Sequence, residues 1–214
     1  MLAAGPLPAK IAPLGMVTHA ERAHVGEATA SAGSTIYDGD RLSTEAGGEL
    51  RTSSAALTLQ LNAQTILTVR HPASPEGNTT AELASGTLVF SAAPTGNIVV
   101  VANDALIRPA ATAPAVAHIR VVNRKEVRIY AQRGALEFSY HGESEVIPEG
   151  AAYRILLDPS EREVAVAPEA EQARKKTAKW HHRFLFLVIG IAGGVAIPVL
   201  MHHVESPDRP GPPS

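Results

Sequence analysis

Short stretches of alternating apolar and polar residues, separated by turn residues, fill most of this chain. Leu57–Leu61 alternates with a period of two, which gives a strand one buried face and one solvated face. Strands are predicted in the same way at 126–131 and 153–157, and the apolar run Ile98–Ala102 is typical of a strand buried on both faces. The pattern predicts an all-β domain over residues 16–158, built as a twisted β-sandwich or a short β-solenoid of short strands.

Two glycine-centred turns are predicted early in that domain. Asp38, Gly39 and Asp40 form one of them, because glycine accepts a positive φ and aspartate can hydrogen-bond to its own backbone. Gly47 and Gly48 form the other, ahead of the next strand. An Asp-Gly-Asp sequence also suits calcium, but the longer acidic loop of a calcium site is missing. We therefore interpret Asp38, Gly39 and Asp40 as structural turn residues.

A short pattern, Gly-x-Leu-x-Phe-Ser, occurs at residues 86–91 and again at 134–139. Each copy places its Leu and its Phe on one face of a strand. Two copies do not establish a solenoid, and chance similarity within an alternating β protein explains the pattern equally well. We predict only that Gly86 and Gly134 mark equivalent tight turns.

The pattern changes at residues 184–201, which carry no charge. As an α-helix this run would be about 27 Å long at ~1.5 Å per residue, close to the hydrocarbon thickness of a bilayer. Trp180 and Arg183 precede it, as interfacial residues do. We predict a single C-terminal transmembrane α-helix in contact with membrane lipid, with a buried helix of a globular domain as the alternative. Gly190 and Gly194 have a spacing that permits close helix packing and a helix-mediated homodimer.

The remaining segments differ in composition from the β domain. Residues 1–15 are rich in Pro and Ala and are predicted to be disordered or processed, 159–183 form a charged stalk, and 202–214 form a disordered tail. Aromatic residues make up only 4% of the chain, which also contains 17 Gly and 16 Pro. This composition suits short strands and turns better than a helical bundle.

No catalytic, cofactor-binding or metal site is predicted. The chain has no Cys, which excludes disulfides, thiolate metal sites and a Cys nucleophile. It contains no Gly-x-Ser-x-Gly elbow, Gly-rich phosphate loop or Rossmann fingerprint, and its net charge of −2 gives no field that attracts nucleic acid. The His pairs at 181–182 and 202–203 flank the apolar run and are interpreted as interfacial. We expect a protein that is not an enzyme, with no cofactor and no nucleic-acid partner.

The order of turns and strands at the start of the β domain resembles the FecR-type domain. In that family a Gly-Asp precedes an apolar residue and a Thr, and a small-residue turn and an alternating strand follow. Residues 39–44, 47–48 and 57–61 match these steps in order, and 83–88 matches a later step with leucine and glycine. The resemblance covers about residues 16–158 and departs from the family where Asn62 and Ala63 replace a polar-Gly turn.

The resemblance implies an all-β envelope domain of the kind that relays a signal from an outer-membrane receptor to a sigma factor in iron uptake. Its signalling members carry a helical region and a membrane helix ahead of the β domain, and neither is found ahead of residue 16 here. We therefore expect a membrane-tethered protein-interaction or envelope-sensing module with a protein partner in the envelope. The alternative is a structural envelope protein that binds peptidoglycan or polysaccharide through exposed strand faces.

Two observations place the β domain on opposite sides of the membrane. The positive-inside rule favours the cytoplasm, because Arg209 alone follows the apolar run whereas five basic residues precede it closely. Those five are Arg174, Lys175, Lys176, Lys179 and Arg183. The resemblance favours a periplasmic or extracytoplasmic domain, with a signal peptide upstream of the sequence. We give the resemblance slightly more weight.

Overall fold

Fifteen β-strands make up the part of the chain that this computed structural model describes, residues 13–71, 77–158 and 184–191. Their bounds are β1 Gly15–Val25, β2 Ala28–Thr29, β3 Thr35–Ile36, β4 Arg41–Ser53, β5 Leu57–Leu61, β6 Ile66–Arg70, β7 Thr79–Ala92, β8 Ile98–Ala102, β9 Ala105–Pro109, β10 Ala115–Asn123, β11 Glu126–Arg133, β12 Leu136–Tyr140, β13 Glu143–Ile147, β14 Ala151–Leu157 and β15 Phe184–Ile191. Within those ranges there is no helix of the length and apolarity needed to cross a membrane. The all-β prediction is confirmed for the described residues.

The described strands form one sheet with a long strand at its centre. The order from edge to edge is β13-β12-β9-β8-β7-β10-β11-β14-β15, and the N-terminal strands β1 to β6 connect to it through β7. The pairs are antiparallel, except that β7 and β8 run parallel. β7 has 14 residues and pairs with β5, β6, β8 and β10. It therefore joins the N-terminal strands to the rest of the sheet.

β4 and β7 each pair with both β5 and β6, because both strands bend. In β7 the half before Gly86 pairs with β6 and β8, and the half after it pairs with β5 and β10. In β4 the bend lies at Gly47 and Gly48, where β1 bulges at Arg22. Gly86 and Gly47 have φ values of +86° and +70°, which glycine adopts without steric cost. The predicted turns at Gly47-Gly48 and at Gly86 are wrong, because these glycines bend continuous strands instead of ending them.

A buried hydroxyl group fastens the bend of β7. Thr65, which is fully buried between β5 and β6, accepts a hydrogen bond at Oγ1 from the backbone N–H of Thr87 at 2.9 Å. The backbone N–H of Thr65 donates to Thr44 Oγ1 at 3.0 Å. A Cβ atom added to Gly86 would lie 2.5 Å from Thr65 Cα. The close approach of these two chain segments therefore requires glycine at position 86.

Buried side chains follow the predicted alternation in most strands. Leu88 and Phe90 of β7 and Leu136 and Phe138 of β12 are all fully buried. Both copies of the Gly-x-Leu-x-Phe-Ser pattern therefore direct their Leu and Phe into the core. β8 differs from its prediction, since one face is buried and the other is half-buried. The half-buried face of β8 is apolar although it is not fully covered.

Part of the apolar run that was predicted to be a transmembrane helix forms a strand. Phe184–Ile191 pairs antiparallel with β14, from Leu157 opposite Phe184 to Ala151 opposite Ile191. Neither the predicted transmembrane helix nor its alternative, a buried helix, included a strand, although a short apolar run rich in aromatic and β-branched residues suits a buried strand as well as a helix. The edge of β14 supplies the backbone partners that make it a strand. Residues 192–201, the predicted stalk and tail, and residues 1–12 lie outside the described residues.

Candidate protein-interaction surface

The two ends of the strand order differ in chemistry. At one end lies β13, which has five residues, includes Glu143 and Glu145, and is followed by Pro148. Short length, charge and proline are features that protect an edge strand from pairing with other chains. At the other end lies β15, which has eight residues and neither charge nor proline. Among the described strands, β15 and the edge of β14 that it covers are the best suited to strand pairing.

β15 is apolar on both of its faces. Phe184 and Phe186 belong to the main hydrophobic core and are 0% and 8% exposed. Leu185 and Leu187 form a second, small cluster with Leu156. An edge strand of an antiparallel sheet commonly has one polar, solvated face. Phe184–Leu187 has none, so this segment is suited to apolar surroundings on every side.

Phe138 of β12 and Tyr153 of β14 form an aromatic seat for β15. The ring centroid of Phe138 lies 5.1 Å from that of Phe184 and 5.4 Å from that of Phe186. The centroids of Tyr153 and Phe186 are 5.3 Å apart, and the rings are nearly perpendicular at 89°. Edge-to-face pairs of this kind contribute about 0.5–1.5 kcal/mol each beyond the burial of area. Because β12 and β15 lie far apart in the strand order, the sheet folds over and packs one layer on the other.

Tyr153 stays neutral at the rim of the aromatic seat. Burial raises the pKa of Tyr153 above its ordinary value of 10.0, and the carboxylate of Glu145 on β13 raises this pKa further. Nearby, Tyr140 donates a hydrogen bond to Asp158 Oδ2 at 2.6 Å, which ties β12 to the residue that follows β14. The aromatic seat therefore carries no charge of its own at neutral pH and suits an uncharged segment.

A cluster of charged side chains holds β14 to β11, on the side away from β15. Arg128 and Arg154 lie directly opposite each other, which is unfavourable for like charges. The buried carboxylate of Glu126 accepts hydrogen bonds from Arg128 Nε and Arg154 Nη2, both at 2.9 Å. Burial alone would raise the pKa of Glu126, but the hydrogen bonds and charges of the two arginines outweigh it and lower this pKa below 4.5. β14 is thus fastened to the sheet independently of β15.

A polar groove of about 230 Å³ is a second candidate site. Its lining includes the polar side chains of Asn78, Asn97 and Thr112, together with Arg108 and Glu137. Arg108 Nη2 donates to both carboxylate oxygens of Glu137 at 2.9 Å, so the two charges offset each other. No aromatic side chain is among the described residues that line the groove. It offers hydrogen bonds but no stacking surface.

The residues of the predicted Asp-Gly-Asp turn have structural roles in the described chain. Gly39 lies in the turn between β3 and β4 with a φ of +81°. Asp40 Oδ2 accepts a hydrogen bond from the backbone N–H of Tyr37 at 2.8 Å, and Asp38 Oδ1 accepts one from that of His71 at 2.6 Å. Both carboxylates therefore satisfy backbone donors of this turn and of the end of β6.

The predicted glycines of the second half have separate positions. Gly134 connects β11 to β12 with a φ of +72°, and a Cβ there would lie 2.8 Å from the carbonyl oxygen of Pro114. Gly134 therefore marks a change of direction, and it is not equivalent to Gly86. Gly190 lies in β15 opposite Ala152, whereas Gly194 lies outside the described residues. Within the described ranges, no three His, Asp or Glu side chains form a group that could hold a metal ion.

The sequence did not predict the aromatic seat or the polar groove. The groove is lined by residues from separate parts of the chain, so no local sequence pattern predicts it. The seat left one signal in the composition, because the chain has only four Phe residues. Phe138, Phe184 and Phe186 are three of them, and they meet in one cluster. In a chain so poor in aromatic residues, two Phe at alternate positions indicate a specific packing site.

The described residues thus define an all-β protein whose sheet has one protected edge and one apolar edge. No protein-family model matches the chain, and no curated protein matches it. The chain is similar in structure to a solved protein from Parabacteroides distasonis ATCC 8503, a proposed anti-sigma factor, with a TM-score of 0.46 and 11% sequence identity. The similarity covers 54% of each chain, so the present chain spans about half the length of that protein.

Proposed function

We propose that this chain is a protein-interaction module that works beside a membrane and binds an extended, uncharged segment of a partner by strand addition to β14. The observation that carries the proposal is the way β14 holds Phe184–Ile191, through backbone pairing and the aromatic seat. In strand addition the backbone hydrogen bonds supply affinity, and pockets for alternate side chains supply specificity. Since Phe184 and Phe186 fill the seat, the partner segment carries aromatic residues at alternate positions.

The membrane location in this proposal is supported by the sequence. Residues 184–201 carry no charge and follow a basic segment, a combination that suits a bilayer with anionic headgroups. The FecR-type resemblance of residues 16–158 supports a place in the cell envelope and a role in sensing or signalling. The partner is accordingly an envelope protein with an exposed, extended segment.

A peptide titration tests strand addition directly. The full chain is diluted from detergent into buffer and titrated with a fluorescent peptide that carries the sequence of residues 184–191 between flanking lysines. The chain's own segment competes at an effective concentration on the order of millimolar, so a Phe184→Ser, Phe186→Ser variant frees the edge. We expect this variant to bind the peptide about tenfold more tightly than the unmodified chain, or better.

A matched peptide with Ser at both Phe positions is the control, and it should bind neither form of the chain. Circular dichroism establishes that the double variant keeps its β structure. If the folded variant fails to bind the Phe peptide, or binds both peptides equally, strand addition at the seat is wrong.

The polar groove favours a second candidate function, the binding of peptidoglycan or polysaccharide. Amide and hydroxyl groups such as those of Asn97 and Thr112 match sugar hydroxyls, and the paired charges of Arg108 and Glu137 add donors and acceptors without net charge. Sedimentation of the full chain with purified sacculi tests it. The wild-type chain should sediment and a Thr112→Lys variant should sediment less, whereas the Phe184→Ser, Phe186→Ser variant should behave as wild type.

A further inference from the structure

We infer that Phe184–Ile191 exchanges between two mutually exclusive positions, as β15 on the sheet and as the first half of a membrane-spanning helix. Insertion into a membrane then uncovers the edge of β14 for the partner. This inference rests on the proposed function and adds the regulation of its binding site. β15 acts as an internal competitor that the membrane removes.

The two positions exclude each other because of backbone hydrogen bonding and length. In β15 the backbone groups of Phe184–Ile191 pair with β14, and the same groups cannot also form the bonds of a helix. With these eight residues on the sheet, only residues 192–201 of the uncharged run remain. A spanning helix needs about 17–25 apolar residues. The run therefore either completes the sheet or crosses the bilayer.

The two positions compete because both bury the side chains of Phe184–Leu187. Phe184, Leu185, Phe186 and Leu187 are at most 8% exposed on the sheet. Full burial of such a side chain stabilises by about 1.5–3 kcal/mol relative to water, and lipid tails are as apolar as a protein core. Transfer from sheet to lipid therefore changes this term little, whereas transfer to water would lose all of it. A membrane competes with the sheet, and water does not.

The sheet can release β15 without losing β14. The carboxylate of Glu126 holds Arg154 of β14 at 2.9 Å from the β11 side, and Tyr140 holds Asp158. Twenty-five residues, 159–183, connect Asp158 to Phe184, and an extended chain spans up to about 3.3 Å per residue. The apolar segment can thus reach a bilayer while the rest of the sheet stays paired. What release leaves uncovered is the aromatic seat, which a partner strand then covers.

Disulfide trapping between β14 and β15 tests the exchange. Leu156 and Leu185 lie opposite each other, and the chain has no native Cys, so Leu156→Cys with Leu185→Cys reports on this pair alone. The full chain is diluted from detergent into buffer, with or without vesicles of phosphatidylcholine and phosphatidylglycerol, and then oxidised. We expect efficient cross-linking without vesicles and a yield about tenfold lower with them, which corresponds to a shift of about 1.4 kcal/mol or more.

A second pair controls for the effect of vesicles on oxidation. Ser139 and Ser144 lie opposite each other in β12 and β13, so Ser139→Cys with Ser144→Cys should cross-link equally in both conditions. A chain that floats with the vesicles but keeps the full Leu156–Leu185 cross-link overturns the exchange. So does a chain that does not associate with vesicles at all.

The outcomes separate this regulation from the binding function itself. Peptide binding by the Phe184→Ser, Phe186→Ser variant is measured without vesicles and does not depend on release by a membrane. If the peptide binds while the vesicles leave the cross-link unchanged, the binding function stands and the regulation is wrong. If the vesicles release β15 but the released chain does not bind the peptide, the exchange is real and the binding function is wrong. The oxidised Leu156→Cys, Leu185→Cys chain should bind no peptide in either case.

Discussion

Gly86 is a residue at which the sheet has no room for a side chain. It combines a φ of +86° with a site where a Cβ would lie 2.5 Å from Thr65 Cα. Gly142 has nearly the same φ, +85°, but no atom lies within 4 Å of its added Cβ. The pair therefore separates backbone strain from steric overlap.

We predict that Gly86→Ala destabilises the protein by about 3 kcal/mol, from a left-handed residue at about 1–2 kcal/mol and overpacking at about 1–3 kcal/mol. Gly142→Ala should cost only the first term, about 1–2 kcal/mol. Urea unfolding of the two variants measures both free energies. Equal costs would mean that the segment around Thr65 moves aside freely, which would contradict a tight bend at Gly86.

At the scale of residues, the sequence predicted burial where the determinant is local. Alternation in β5 and β12 correctly identified which side chains enter the core, because the period of two belongs to the strand itself. Thr65 escaped prediction, since its burial depends on Thr87 and Thr44, each more than twenty residues away. The bend at Gly86 escaped for the same reason, because a glycine in a sequence indicates a special φ without indicating whether the strand continues.

At the scale of elements, β11 and β14 form the part of the sheet that must hold when β15 is exchanged. Their opposed arginines, Arg128 and Arg154, are kept together by one carboxylate, Glu126. Removing that charge leaves two like charges face to face, but both guanidinium groups are more than a third exposed and water screens them. We therefore predict that Glu126→Gln destabilises the protein by about 1–2 kcal/mol at neutral pH.

The effect of Glu126→Gln depends on pH in a direction that the lowered pKa fixes. A carboxyl group with a folded-state pKa below its ordinary 4.5 stabilises the fold fully above that value, and the stabilisation is lost as the pH falls through the folded-state pKa. The difference in unfolding free energy between wild type and Glu126→Gln should therefore shrink below pH 4.5. Urea unfolding at several pH values measures it. Glu149→Gln, at an exposed position, is the control, and a difference for Glu126→Gln that does not change with pH would contradict the ion-pair assignment.

A strand could be predicted where its own residue pattern and the adjoining turn residues were enough to identify it. β5, β11 and β14 lie where alternation predicted strands. The features that protect the edge at β13, two glutamates and a proline, are also present in its local sequence. The local sequence did not determine that Phe184–Ile191 forms a strand, because an apolar segment can form a helix or a strand, depending on the backbone partners and side chains around it. Here the surroundings are an unpaired edge and two aromatic rings from distant parts of the chain.

For the molecule as a whole, the open question is on which side of the membrane the β domain lies. The resemblance to the FecR-type domain favours an extracytoplasmic β domain, and the positive-inside rule favours the opposite. If the run crosses the membrane, the β domain and the C-terminal tail lie on opposite sides. The chain has no Cys, so a single introduced thiol reports the side of its own segment without background.

We predict that Ala55→Cys, at an exposed position between β4 and β5, reacts with a membrane-impermeant thiol reagent in intact spheroplasts, whereas Ser214→Cys reacts only after lysis. Labelling of Ser214→Cys alone in intact spheroplasts would place the β domain in the cytoplasm, where the partner must then be sought. Labelling of both variants, or of neither, before lysis would mean that the run does not cross the membrane. That is the result expected for a chain in which Phe184–Ile191 stays paired with β14. Because the exchange makes crossing depend on β15, the Leu156→Cys, Leu185→Cys pair, oxidised before membrane insertion, should leave the chain out of the bilayer altogether.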